Sequence, residues 1–209
     1  MLTLVIGDRN FSSWSLRPWL AARQAGIPFT EVSIRLGQPD TGNEIRRYSP
    51  SGKVPCLIDE EGGRLVIWDS LAICEYLAER APSLWPADQA RRAEARSISA
   101  EMHAGFLPLR QQMAMDIRAS QPDQAITPAV AADIARIVDI WETCRRRFAA
   151  CGPFLFGPFS IADAMYAPVV WRFVTYDVDL PPAAQGWVAS MRALPAMREW
   201  QAGALAEPL

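Results

Sequence analysis

A change of period near residue 85 sets the limits on what this chain can fold into. Before it, apolar residues alternate between strand spacing and helix spacing; after it, only helix spacing is found. The first apolar run, Leu2 to Ile6, stops at Gly7-Asp8 and reads as a buried strand. Leu16, Trp19, Leu20 and Arg23 then recur at helical spacing, and Gly26 closes the segment. Phe29 to Ile34 alternates weakly as a second strand, and residues 38–49 have room for a short helix at most. Val54 to Ile58 and Leu65 to Trp68 flank Asp59-Glu60-Glu61-Gly62-Gly63, whose glycines tolerate the positive φ of a hairpin turn. Asp69-Ser70 opens a helix through Leu71, Cys74, Leu77 and Ala78. The predicted order is β-α-β-α-β-β-α.

Pro82 and Pro86 punctuate the boundary. Beyond it the spacing of Ile98, Met102, Phe106, Leu109 and Met113 predicts one long helix over Ala95 to Met115. Ile134, Ile137, Val138, Trp141 and Cys144 predict a second, antiparallel one over Ala129 to Phe148. Shorter helices are expected over 162–174, 186–193 and 196–202. The expected division is an α/β domain over 1–80, a linker over 81–86 and an all-α domain over 87–209.

Near-neutral charge narrows the function classes. The formal net charge is −2, and neither half of the chain is basic, so the stripe that releases counterions from nucleic acid is missing. No apolar run reaches the length of a membrane span, and the N-terminal ten residues meet charge too early for a secretory segment. A cytoplasmic protein is expected. Cys56, Cys74, Cys144 and Cys151 form no C-x-x-C spacing and read as reduced buried thiols. With His103 as the single histidine, no metal site is expected.

Three clusters could carry chemistry. In Phe11-Ser12-Ser13-Trp14-Ser15-Leu16-Arg17-Pro18, hydroxyls gather where the first strand turns into the first helix. Proline favours the first helical turn, which makes Ser15 the expected N-cap. An anion held there would meet free backbone N–H groups, the positive end of the helix dipole and a hydroxyl donor, a setting that lowers a thiol's pKa. The bland alternative is that the serines only cap the helix. In the second cluster, Ser49 to Leu57, Pro55 opens an apparent strand. A cis Val54-Pro55 bond would turn the Val54 N–H and C=O outward to pair with a peptide-like ligand. Lys53, the chain's one lysine, adds a cation there or is a solvated loop residue. In the third, Ser70 begins a helix whose N–H groups favour a carboxylate, and Asp69 can accept from an ammonium; together they match an α-amino acid head group or form a simple cap.

In order and spacing these clusters resemble the cytosolic glutathione S-transferase family over nearly the whole chain, and Ser12-Ser13-Trp14-Ser15 is similar to the S-S-C-S motif of its zeta class. The resemblance implies a thioredoxin-like N-terminal domain, an all-helical C-terminal domain and a homodimer. It implies that Ser12, with Ser13 as neighbouring candidate, hydrogen-bonds the glutathione thiolate. Val54-Pro55 would pair with the cysteinyl backbone, and Asp69-Ser70 would hold the γ-glutamyl group. Lys53 departs from the family, standing where many relatives have Gln, and its charge is expected to meet a carboxylate. Ser160 with Asp163 has the arrangement of a capping box, which the family uses as a folding element.

Trp14 stands where the zeta motif has cysteine, and is expected to wall an electrophile pocket with Phe11, Phe106 and His103. His103 is expected on one helical stripe with Arg96 and Arg110. The active loop holds no cysteine, which argues against disulfide chemistry. The expected activity is attack of glutathione thiolate on a small hydrophobic electrophile. The alternatives are a glutathione-dependent cis-trans isomerase of the maleylacetoacetate type and a non-catalytic binding protein of the same fold.

Overall fold

The computed structural model describes residues 1–208; Leu209, the last residue of the expected helical domain, lies outside the described residues. Four strands form one mixed sheet in the order β2-β1-β3-β4, with β1 Leu2–Gly7, β2 Thr30–Ile34, β3 Cys56–Asp59 and β4 Leu65–Trp68. β1 runs parallel to β2, and β3 is antiparallel to both β1 and β4. The β3–β4 turn forms as expected, with Gly62 at φ +76 and Gly63 at φ +125.

Strand alternation assigns each face a partner. Leu2, Leu4 and Ile6 pack with α1 (Ser13–Gln24) and α3 (Ser70–Arg80). Val5, Cys56 and Ile58 point the other way and pack on Ile34 and on Ile45 of the short α2 (Thr41–Arg46). After the 3-10 turn at Pro82–Leu84 come α4 (Gln89–Ala104), α5 (Leu107–Gln112), α6 (Pro128–Phe148), α7 (Ile161–Thr175), α8 (Pro182–Ala193) and α9 (Pro195–Ala206). Apolar on every side, α7 is the central post of this half and packs against both α1 and α4. The larger core runs continuously from the sheet through α1 into the helical half. Among the described residues, no helix is long and apolar enough to cross a membrane.

Several local expectations are corrected. The predicted helix over 95–115 is broken at Gly105-Phe106, where Phe106 takes a left-handed backbone at φ +61. Arg110 therefore does not continue the stripe of Arg96 and His103; it lies on α5 and folds back to donate to the carbonyls of Gly105 and Met102. The first helix starts at Ser13, so Ser15 lies in its first turn and is not the N-cap. Pro18 consequently sits beyond the first turn and leaves the Trp14 carbonyl without its helical donor, a loss tolerated because the sheet, α3 and α7 hold α1 in place. Cys151 is exposed, whereas the other three thiols are buried as expected.

Asp163 realises the capping box at the start of α7. Its Oδ2 accepts from the Ser160 N–H at 2.9 Å, and its Oδ1 accepts from Leu155 N–H at 2.9 Å and Trp187 Nε1–H at 2.8 Å.

Candidate functional site

The site assembles at the C-terminal end of β4 and the N-terminal end of α3. Trp68 ends the strand, and Asp69, at φ +76, turns the chain into the helix as its N-cap, its Oδ1 accepting from Leu71 N–H at 2.9 Å. The first intrahelical bond runs from Ile73 N–H to the Asp69 carbonyl at 3.0 Å, so the Ser70 and Ala72 N–H groups precede the helical ladder and can meet an anion beside the Ser70 hydroxyl. Across from them the chain presents Ser51, Lys53, Val54 and Pro55, with the Val54-Pro55 bond cis. Trp14 from α1 and His103 from α4 close the cleft, which has a volume of about 430 Å³. Of the residues expected from sequence, Trp14, Lys53, Val54, Pro55, Asp69, Ser70 and His103 are brought together here.

Ser12 and Ser13 are buried immediately before Trp14 and are not themselves part of the cleft wall. Ser12 Oγ donates to Ser15 Oγ at 2.7 Å, and Ser15 Oγ accepts from Gly7 N–H at 3.2 Å. Ser13 makes no side-chain hydrogen bond among the described residues. Phe11 and Phe106 fall outside the cleft. Phe11, 55% exposed, lines a separate cavity with Asn10, Asp116 and Arg118, because the β1–α1 loop turns it toward the helical half. Phe106, 8% exposed, packs into the core at the α4–α5 break.

His103 crosses between the two halves. Its Nε2 lies 3.3 Å from Asp69 Oδ2, and its ring meets Trp14 edge-on with centroids 5.3 Å apart. Burial pushes the imidazole below its usual pKa; Asp69 pulls upward, and Arg17 and Arg110 push downward.

Sequence reasoning missed Ser51, Trp68 and Arg17. Ser51 lies inside the Ser49 to Leu57 cluster and Trp68 directly precedes Asp69, and proximity to the chosen residues was the only signal for them. Arg17 is the larger omission. It is wholly buried in α1, its guanidinium 4.2 Å from the centre of the Trp14 ring, while Arg110 stacks 4.7 Å from the same ring. Burial, and after it Arg110 and Arg172, lower the Arg17 pKa to about 9, against opposing pulls from Cys74 and Asp69. An arginine among apolar helix positions was the signal available for it.

The N-terminal domain model of the glutathione S-transferases matches residues 11–80, and their C-terminal domain model matches residues 124–201. The chain belongs to the glutathione S-transferase family. A "Glutathione S-transferase GstB" of Escherichia coli K12 is 25% identical over 201 residues, covering 94% of this chain and 96% of that protein. A "Probable maleylacetoacetate isomerase" of Caenorhabditis elegans is 34% identical over 103 residues, covering 48% of this chain and 46% of that protein. This transferase-family chain thus spans about half the length of that relative. Among solved structures, a glutathione transferase homolog from Burkholderia with bound glutathione superposes with TM-score 0.73 at 22% identity, covering 99% of both chains.

Proposed function

We propose that the protein is a glutathione transferase that binds glutathione in the Val54/Asp69 cleft and directs its thiolate onto a small electrophile. The observation that carries this reading is convergence: three sequence clusters far apart in the chain meet around one cleft, the first through Trp14, two residues after Ser12, and the other two through groups that suit the peptide parts of glutathione. Ser70 and the α3 N–H groups suit the γ-glutamyl carboxylate, Asp69 suits the ammonium, Val54 suits the cysteinyl backbone, and Lys53 suits the glycyl carboxylate.

The thiol is directed to the start of α1. There Ser12 is the donor to the thiolate, with Ser15 behind it. A hydroxyl proton turns about its C–O bond, so the Ser12–Ser15 bond can reverse at unchanged separation. Gly7 N–H, Ser15 O–H and Ser12 O–H would then point in series toward sulfur, each polarising the next. The S–H proton leaves to solvent and a thiolate lone pair forms the C–S bond; in a substitution the leaving group departs with its bond pair, and in an addition the displaced π pair takes a proton from solvent, so the product is a neutral thioether. In this reading residues 1–80 bind glutathione, 81–86 link, and the helical half completes the electrophile site. We further place the protein in the cytoplasm, where its four free cysteines stay reduced, and as a homodimer, as the family resemblance implies.

A second reading, glutathione-dependent isomerisation, is favoured by the stretch shared with the maleylacetoacetate isomerase relative. There the thiolate would add to a cis-dienoate, permit rotation and depart unchanged. One experiment separates the readings: incubation with glutathione and either 1-chloro-2,4-dinitrobenzene or a cis-dienoate. Thioether formation with equal loss of glutathione supports conjugation. Isomerisation without loss supports the second reading. Binding without turnover of either compound would indicate a binding protein, and failure to bind glutathione would overturn the proposal.

A further inference from the structure

Arg17 is unusual among the buried polar groups. It has no ion-pair partner among the described residues, and its Nε and Nη2 find no hydrogen-bond acceptor there. Its Nη1 has one, at 3.4 Å: the hydroxyl of Ser70. Arg110 and Arg172, packed near it, add charge of the same sign. The nearby carboxylate, Asp69, is turned to Leu71 N–H and to His103. A buried guanidinium in such surroundings is offset best by an anion brought close from outside.

The route for that anion runs through Ser70. A serine hydroxyl has one proton and two lone pairs. Where Arg17 donates to one lone pair, the Ser70 proton is free to donate outward, into the cleft that Ser70 lines. From these contacts we infer that Arg17 is a positioning residue that fixes Ser70 as a donor and selects ligands carrying a free carboxylate at the start of α3. The inference rests on the glutathione reading, which already assigns the γ-glutamyl carboxylate to Ser70, and adds the residue that orients the Ser70 hydroxyl toward it. Trp14, stacked 4.2 Å from the same guanidinium, helps shield the charge from solvent and so preserves its field at the head group.

The test is a cycle in both protein and ligand. Binding of glutathione and of γ-aminobutyryl-cysteinylglycine, which lacks only that carboxylate, is measured by calorimetry for the wild type and Arg17→Met. The expected result is that Arg17→Met weakens glutathione by about 10- to 100-fold, the range for a charge-assisted hydrogen bond. The analogue should change by less than about twofold, since the lost partner is absent from it. A merely structural role would weaken both peptides equally, and that result would overturn the inference, as would unchanged glutathione affinity. Should Arg17→Met not fold, Arg17→Gln carries the same expectations. Ser70→Ala supplies the second arm: in that background Arg17→Gln should cost nothing further for glutathione, and an additive loss would contradict action through Ser70. Wild-type protein that binds neither peptide removes the glutathione reading and this inference with it; binding both equally removes the inference alone.

Discussion

His103 Nε2 sits 3.3 Å from Oδ2 of Asp69, so a residue of the helical half touches the carboxylate at the head of α3, where the sheet domain turns to meet a ligand. The contact connects the composition of the second half to the chemistry of the first. Burial of the same ring makes the protein's stability depend on pH near the ordinary histidine range.

The imidazole is held below its usual pKa of about 6.5 by burial, so the unfolded chain binds more protons than the folded one as pH falls through that value. Stability contributed by the neutral ring is complete at pH 7 and is lost on acidification from about 6.5 toward the lowered value. His103 is the chain's one histidine. The wild-type melting temperature should therefore drop between pH 7 and 5.5, and His103→Gln should flatten that slope. Equal slopes in the two proteins would show that the ring gains no preference for the neutral form on folding.

Glu207 predicts a link between the C-terminal end and the loop that leads to Ser12. Its Oε1 accepts from Arg9 N–H at 2.5 Å and its Oε2 from Asn10 N–H at 3.1 Å, while Arg118 donates to the Glu207 carbonyl. Glu207→Ala should free both amides. Their hydrogen exchange should rise about tenfold, matching about 1.4 kcal/mol of lost charge-assisted bonding. Turnover should fall while glutathione affinity stays within about twofold, because the cleft residues are not touched.

Asp163 predicts a pure stability effect. Three neighbours, Leu155, Ser160 and Trp187, donate to its buried carboxylate. Asp163→Ala leaves those donors unpaired at the start of the central helix and should cost about 3 to 5 kcal/mol in urea unfolding. The fraction that still folds should bind glutathione normally.

Much of the fold was legible because its signals are local. The period change at residue 85, the hairpin glycines and the Ser160/Asp163 box each depend on residues close in sequence. The sites of failure are those where tertiary contacts override a local rule. Pro18 could sit beyond the first turn because α1 is clamped on several sides. The helix containing His103 could break at Phe106 because Arg110 returns to cap its last carbonyls. In the candidate site, Val54, Asp69 and Ser70 were readable as peptide-binding chemistry, whereas Arg17 was not. Its role depends on Trp14, Ser70 and Arg110, which come together only on folding. Phe11 was misplaced for the same reason: the direction of a loop side chain follows from what packs beneath it.

The most direct test of the account is an ultraviolet titration of the glutathione thiolate, free and saturated with the wild type, Ser12→Ala or Ser13→Ala. The account predicts a bound thiol pKa about two units below the free value of about 8.5 to 9, worth about 1.4 kcal/mol per unit. Most of that shift should vanish in Ser12→Ala with glutathione still bound, and should persist in Ser13→Ala. Glutathione bound to the wild type with an unshifted thiol would contradict the central claim that this cleft makes a nucleophile.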